Sequence, residues 1–289
     1  MTVPVRPAST VVLLRDGIDG LEVFLVRRHD AVAFMGGAHV FPGGRVEASD
    51  RDEHWLAAAD WMTGATAALR DVDTADAVGF HVAAVREAFE EAGVLLAREP
   101  DGAMVTSASE GLATLMAQRE ALGAGTVRLL DLIQAQGWRL AADWLVYFAH
   151  WVTPPIETRR FDTRFFLAAL PIGQVPMHDR REVTDGVWAR PADAISRCLD
   201  GTIALPPPTW TTLRWLEAFH DVTSALAWAR HKRVPRIEPG FIQRGETRIV
   251  TLPGDATMPV VEGFEARETR FLLAGGRWTP VSDGIEETR

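Results

Sequence analysis

The stretch Phe80-His81-Val82-Ala83-Ala84-Val85-Arg86-Glu87-Ala88-Phe89-Glu90-Glu91-Ala92-Gly93-Val94 decides how this chain is read. On a helical wheel of about 100° per residue, Glu90 falls about 300° and Glu91 about 40° round from Glu87. Three carboxylates therefore share one sector. Val82, Val85, Ala88, Phe89 and Ala92 fall on the other side, between about 100° and 220°. The pattern predicts a helix within 80–96, stopped by Gly93, with an apolar back and a dense acidic front. Carboxylates this close raise one another's pKa values. A hard divalent cation with oxygen ligands, Mg²⁺ or Mn²⁺, relieves that repulsion. The competing reading is a solvated glutamate-rich face partnered by Arg86 and Arg98, which is the commoner use of such a pattern.

Upstream, Val11–Leu14 and Leu21–Arg27 read as strands separated by the turn pairs Asp16-Gly17 and Asp19-Gly20. A third apolar run, Ala38–Phe41, leads straight into Pro42-Gly43-Gly44. Glycines at that position let backbone come close to a ligand or metal. Residues 51–80 look like an excursion with helical pieces, and Leu112–Leu140 reads as one or two helices. Leu145–Val152, Arg164–Leu170 and Val183–Ala189 read as strands, and Pro191–Leu199 as a helix with proline in its first turn. Pro206-Pro207-Pro208 predicts extended chain, followed by one long tryptophan-marked helix over Thr209–Arg230 that serves the core or a dimer surface. The last 55 residues alternate Pro, Gly and short β-prone runs and predict a strand-rich tail.

The chain has 289 residues, 47% of them hydrophobic and 24% charged, which excludes wholesale disorder. Its formal net charge of -9 excludes a whole-protein basic field, and with it broad binding of nucleic acid or anionic membrane. An acidic protein acting on anionic substrates must neutralise them locally, through a metal ion or a few arginines. Cys198 is the only cysteine, so neither an internal disulfide nor a cysteine-based zinc site can form. The first residues lack a signal-peptide pattern, Leu145–Val152 is far short of a membrane span, and Glu287-Thr288-Arg289 is no peroxisomal address. A cytoplasmic setting is the default expectation.

Gly44, five residues, Asp50, an interval, and then Arg86-Glu87-Ala88-Phe89-Glu90-Glu91-Ala92-Gly93-Val94 together resemble the box of the Nudix hydrolase family. The second half matches at every specified position. Two departures stand out. Asp50 replaces the first glutamate, and 35 residues separate it from Arg86 where the family has seven. Within the family, the run Gly36–Gly44, the segment Arg160–Phe166 and Leu205–Pro208 are similar to the peroxisomal coenzyme A diphosphatase branch. The resemblance covers roughly residues 8–260.

The resemblance implies an α/β fold: a Nudix α/β/α sandwich with a mixed sheet, a helical insertion, and a C-terminal helix plus strand-rich extension. The Nudix domain would span 8–232, with the insertion at 51–79 and a helical segment at 109–140, and the extension would span 233–289. It implies metal binding by Gly43, Glu87, Glu90 and Glu91, with Asp50 and Arg86 in support. A further carboxylate from a loop outside the box is expected as ligand or base, Glu182 first and Asp185 second. Arg27 and Arg28 leave a strand near the box, where arginines meet phosphates bidentately. At least one of the two is expected to be a plain surface pair. Gly37, Phe41 and Arg28 can be laid on the upstream motif of coenzyme A diphosphatases, and Gly44 joins the substrate-binding set. The motif's His and second Arg fall at Met35 and Ala33. His39, His81 and His150 read as structural.

The reaction implied is metal-dependent cleavage of the diphosphate of coenzyme A or acyl-coenzyme A to phosphopantetheine and 3′,5′-ADP. Hydrolysis of ADP-ribose or another nucleoside-diphosphate-linked molecule is the alternative within the same chemistry. From a different class, a non-catalytic nucleotide sensor is disfavoured because such modules commonly lose the glutamates kept here. The expected partner is a small nucleotide, with no nucleic acid and no membrane. A homodimer stays open.

Overall fold

The computed structural model describes residues 3–30, 35–178, 183–245 and 247–281. β1 (Val5–Gly17) and β2 (Gly20–Arg28) form a hairpin closed at the Gly17–Gly20 pair. Two short strands follow, β3 (His39–Val40) on β2 and β4 (Gly43–Arg45) on β1. The excursion before the acidic helix holds α1 (Trp55–Ala58), β5 (Ala59–Asp60) and α2 (Ala65–Ala68). After α3 (Thr74–Ala92) come β6 (Ala97–Arg98), α4 (Leu112–Ala117), α5 (Arg119–Gly123), α6 (Leu129–Ala135) and β7 (Arg139–Ala141). The long strands β8 (Val146–Val152), β9 (Arg160–Ala169) and β10 (Val183–Ala189) return the chain to the main sheet. Then follow α7 (Pro191–Leu199), α8 (Pro207–Leu216), α9 (Val222–His231) and β11 (Arg236–Ile237). A separate four-stranded antiparallel sheet closes the described chain: β12 (Gly240–Arg244), β13 (Thr247–Thr251), β14 (Arg270–Ala274) and β15 (Arg277–Pro280).

The main sheet is mixed, in the order β10-β2-β1-β9-β8-β11, with β1 and β9 parallel from Val5↔Arg160 to Leu14↔Ala169. Strand alternation divides its side chains between two cores. Val11, Leu13 and Val26 pack against α3, whereas Val12, Leu14 and Leu25 pack against α7, α8 and α9. The result is an α/β/α sandwich. Val250, Leu252, Phe264 and Phe271 of the C-terminal extension join the second core, so the extension has its own sheet while sharing that core. Among the described residues no helix is long and apolar enough to cross a membrane.

Four local expectations change. Leu112–Leu140, expected to be one or two helices, holds the three short helices α4, α5 and α6 and the start of β7. The acidic helix starts at Thr74, not Phe80: the Asp73 side chain caps it by accepting from the Asp76 N–H. Pro207 and Pro208 open α8 instead of extending the chain, since a first-turn position needs no N–H donor. The single helix expected over Thr209–Arg230 is two. α8 ends at Leu216, and Asp221 caps α9 by accepting from the Ser224 N–H.

Candidate active site

The apolar back of α3 lies on the sheet, as its periodicity predicts, but its acidic front is not solvated. Arg86, Glu87 and Glu91 are buried, and Glu90 is half-buried. Gly43, Gly44, Arg45 and Asp50 cover that front, while Trp55, Ala58, Ala65 and Leu69 from residues 51–79 join the apolar core around α3. Burial overturns the surface-face reading, because exposed glutamate pairs are common whereas carboxylates almost never go inside without partners.

Those partners are specific. Arg86 donates from Nε to Asp50 Oδ1 at 2.9 Å and from Nη2 to Asp50 Oδ2 at 3.0 Å, a bidentate pair. Its Nη2 also donates to the Arg45 carbonyl at 2.8 Å, which fastens the helix to β4. Its Nη1 donates to Glu87 Oε1 at 2.9 Å and to both Glu90 oxygens at 3.2 Å. Asp50 in turn accepts from the Glu47 N–H at 2.8 Å. Glu91 accepts from the Gly43 N–H at 3.0 Å. Gly44 faces Glu87 so closely that a Cβ there would stand 2.3 Å from its Oε1. The glycine pair of the box is thus a place where backbone must approach carboxylates.

Burial pushes the Glu87 carboxyl up to about 8, with Glu90 adding to the rise and Arg86 opposing it. Burial also raises Glu90, again against Arg86. Among the described residues, no three His, Cys, Asp or Glu side chains stand together as a ready cation cage, since Arg86 sits between Glu87 and Glu90. The donor chemistry nevertheless fits a hard divalent ion. Only oxygens are offered, Arg86 alone leaves Glu87 short of compensation, and the absent Cβ at Gly44 keeps the space beside its carboxylate free.

Glu87 and Glu90 open into a cleft of about 1160 Å³, whereas Glu91, expected as a further metal ligand, does not line it and instead accepts from the Gly43 N–H. The cleft reaches round β4 onto the other face of the sheet. Arg6, Arg28, Arg45 and Arg159 line it, and none makes an ion pair among the described residues. Arg27 behaves differently. Its Nη2 donates to Asp30 at 2.7 Å and its Nη1 to Thr184 at 3.2 Å, outside the cleft lining. One of the two strand-end arginines is therefore the expected surface pair, and it is Arg27. Strand alternation gives the reason, because Arg28 shares its face with Val26 of the α3-side core. Phe41, Gly43, Gly44 and Met35 line the cleft, but Gly37 does not. Gly37 sits in a turn at φ 76°, where a Cβ would meet Asp30 Oδ1 at 2.7 Å, so its place in the sequence is conformational. Asp185 accepts from the Gly186 N–H at 2.8 Å on β10 and does not line the cleft. Glu182 and Ala33 lie outside the described residues.

Sequence reasoning missed Arg6, Arg45 and Arg159, which carry no motif; only strand pairing brings them to one place. It also left Asp162 and Arg164 without a role. Arg164 is fully buried, donates to Asp71 Oδ2 at 2.6 Å, pairs with Asp162, and lies 4.8 Å over the Phe80 ring. It ties the insertion to the sheet beneath α3. His81 is neutral, pushed down to about 4 by burial, and contacts the Ala77 carbonyl at 2.8 Å. His39 is likewise held at about 4, chiefly by burial, with Arg197 and Arg27 adding to the shift.

Fold and site together define a hydrolase of the Nudix class. A model of the NUDT19 Nudix domain matches residues 6–216, and the chain belongs to that family of Nudix hydrolases. It is 30% identical over 270 residues to the human acyl-coenzyme A diphosphatase NUDT19, covering 82% of this chain and 72% of that one. It is 31% identical over 278 residues to the Gallus gallus protein of the same name, covering 82% and 73%. Among solved structures, a Nudix hydrolase from Alicyclobacillus acidocaldarius superposes with a TM-score of 0.62 at 28% identity, covering 78% of this chain and 97% of that one. Nudix hydrolases need a divalent metal, and the substrates named for these relatives are small and nucleotide-linked.

Proposed function

We propose that this chain hydrolyses the diphosphate of coenzyme A or acyl-coenzyme A, releasing phosphopantetheine or its acyl form and 3′,5′-ADP. The observation that carries the reading is the pair of buried Glu87 and half-buried Glu90 beside Gly43-Gly44, opening into a cleft with four arginines that make no ion pair among the described residues. Likeness to acyl-coenzyme A diphosphatases over 82% of the chain directs that chemistry to a coenzyme A thioester.

In this reading Glu87 and Glu90, with the backbone at Gly43, would hold Mg²⁺ or Mn²⁺. The bound ion would polarise a phosphoryl oxygen and lower the pKa of the attacking water. Arg86 and Asp50 keep the carboxylates on station. Glu91 positions Gly43 through its N–H. Arg28 supplies charge to the diphosphate from the α3 side. Water adds at one phosphorus and loses a proton to solvent, the bridging P–O bond breaks, and its electron pair leaves with the departing phosphate.

Products are identified by mass spectrometry over coenzyme A, acyl-coenzyme A, ADP-ribose and NADH, with Mg²⁺ or Mn²⁺. The expected result is 3′,5′-ADP from the coenzyme A species, with a rate at least a hundredfold lower in Glu90→Gln, of the order seen when one charge-stabilising group is lost. A strong preference for ADP-ribose would overturn the substrate assignment. Near wild-type turnover by a folded Glu90→Gln protein would overturn the metal site.

A further inference from the structure

Arg6, Arg45 and Arg159 of the cleft gather at the start of β1, where Phe161 and Trp151 also line it, and its other buried or half-buried apolar residues include members of the C-terminal sheet. β1 lies between β4 and β9, and its residues Arg6, Ala8 and Thr10 point to the cleft face. At the start of β1, Arg6 stands opposite Phe161, and Ala8 is paired with Arg45. Both arginines are exposed. Further along, Thr10 is paired with Gly43 on one side and Phe165 on the other. Arg6 and Thr10 lie about 13 Å apart at the rise of a strand. Phe165 stands at the Thr10 level and Phe41 next to it, and Pro207, Val250 and Trp278 also line the cleft; all five are buried or half-buried. The carboxylate site at Gly43-Gly44 lies beside the line from Arg6 to Thr10.

Val250 and Trp278 belong to the C-terminal sheet, so the extension forms a wall of this cleft facing the main sheet. That wall is anchored. Arg277, next to Trp278, donates to the carbonyls of Cys198 at 3.1 Å in the last turn of α7 and of Gly201 at 2.7 Å and Ile203 at 3.1 Å just after it. Glu268 joins the extension to α8 by accepting from Trp210 Nε1 at 3.0 Å.

Resting on the function proposed above, we infer that the C-terminal sheet walls an apolar subsite for the acyl-pantetheine arm, and that Trp278 sets acyl-chain preference. A diphosphate held at the carboxylates has two arms. The nucleotide arm carries a further phosphate and needs cations, which stand at the Arg6–Arg45 end. The thioester arm is left with the apolar lining at Phe165, Phe41 and the C-terminal sheet. The cleft volume of about 1160 Å³ also exceeds the roughly 300–1000 Å³ usual for drug-sized ligands, as a two-armed substrate requires.

The test compares wild type, Trp278→Ala and Trp278→Phe on free, acetyl and dodecanoyl coenzyme A, with binding of dodecanoyl-pantetheine measured alongside. Expected in Trp278→Ala is a fall of about tenfold in kcat/KM for the dodecanoyl thioester. Free coenzyme A, which carries the pantetheine but no acyl chain, should fall clearly less than the dodecanoyl thioester, and Trp278→Phe should restore most of the loss. Dodecanoyl-pantetheine, which has no diphosphate, should bind about tenfold more weakly to Trp278→Ala. An equal fall on all three substrates would assign Trp278 to the nucleotide or the fold and overturn the inference, as would no change on any. If wild type hydrolyses none of the coenzyme A species, the function proposed above fails, and the pantetheine binding still decides the subsite.

Discussion

Replacing Gly44 by alanine should separate activity from stability. The new Cβ would stand 2.3 Å from Glu87 Oε1, 2.5 Å from its Cδ and 2.7 Å from Oε2, against 3.4 Å for ordinary contact. The carboxylate must therefore withdraw by about 1 Å, a displacement that costs a positioned catalytic group about a hundredfold in rate. That loss corresponds to about 2.7 kcal/mol of barrier. The fold has an easier escape, since the obstacle is the end of a side chain with rotatable bonds. A rotamer shift costs about 1 kcal/mol. Gly43→Ala offers the contrast. Its Cβ would meet the Ser9 carbonyl oxygen at 2.4 Å and Thr10 Cα at 2.8 Å, and backbone in a paired strand cannot step aside without opening the β1–β4 ladder. Gly44→Ala should thus lose kcat with only a small fall in its urea midpoint, equivalent to about 1 kcal/mol, while Gly43→Ala loses stability first. The assay is release of 3′,5′-ADP from an acyl-coenzyme A with Mg²⁺, paired with urea unfolding of each variant. A Gly44→Ala protein that keeps kcat within about threefold would refute the claim that the Glu87 carboxylate acts from this position.

Two further outcomes follow from the same cluster. Glu87 binds its proton more tightly folded, at about 8, than at the ordinary 4.5, so the metal-free fold holds the extra proton between those values. Stability should fall as pH rises through that window, and Mg²⁺ should raise the melting temperature more at pH 8.5 than at pH 5; an equal rise at both would remove Glu87 from the cation site. Asp50→Ala strips Arg86 of its two hydrogen bonds at 2.9 and 3.0 Å in a buried setting. Urea unfolding should show a loss of about 3 kcal/mol, and a loss below about 1 kcal/mol would mean that Glu87 and Glu90 suffice to hold the arginine.

Much of the site is local in the chain, and that part was legible. Arg86 through Gly93 occupy two helical turns, so their relative placement follows from the helix geometry alone. The apolar back of α3 and the glycines before it were readable for the same reason. The start of α3 at Thr74 was signalled by Asp73 and Asp76 but was hidden inside the insertion. The break between α8 and α9 was signalled by Asp221 and was outweighed by the continuous run of large apolar residues on both sides.

What the sequence by itself determined is the chemistry: three carboxylates on one helix face, a glycine pair, and an arginine beside them, because i, i+3 and i+4 spacing needs no tertiary information. Whether that face meets water could not be read from it, since the periodicity of α3 is the same on a surface helix. Burial was decided by the strand pairing that lays β4 and Asp50 over that face: Gly43 meets Glu91, Gly44 meets Glu87, and Asp50 and the Arg45 carbonyl hold Arg86, all from far upstream in the chain. The same holds for the cleft. Arg6, Arg45, Arg159 and Trp278 lie far apart in the sequence, and the pairing of β1 with β4 and β9, together with the C-terminal sheet docked on the second core, places them around one substrate path.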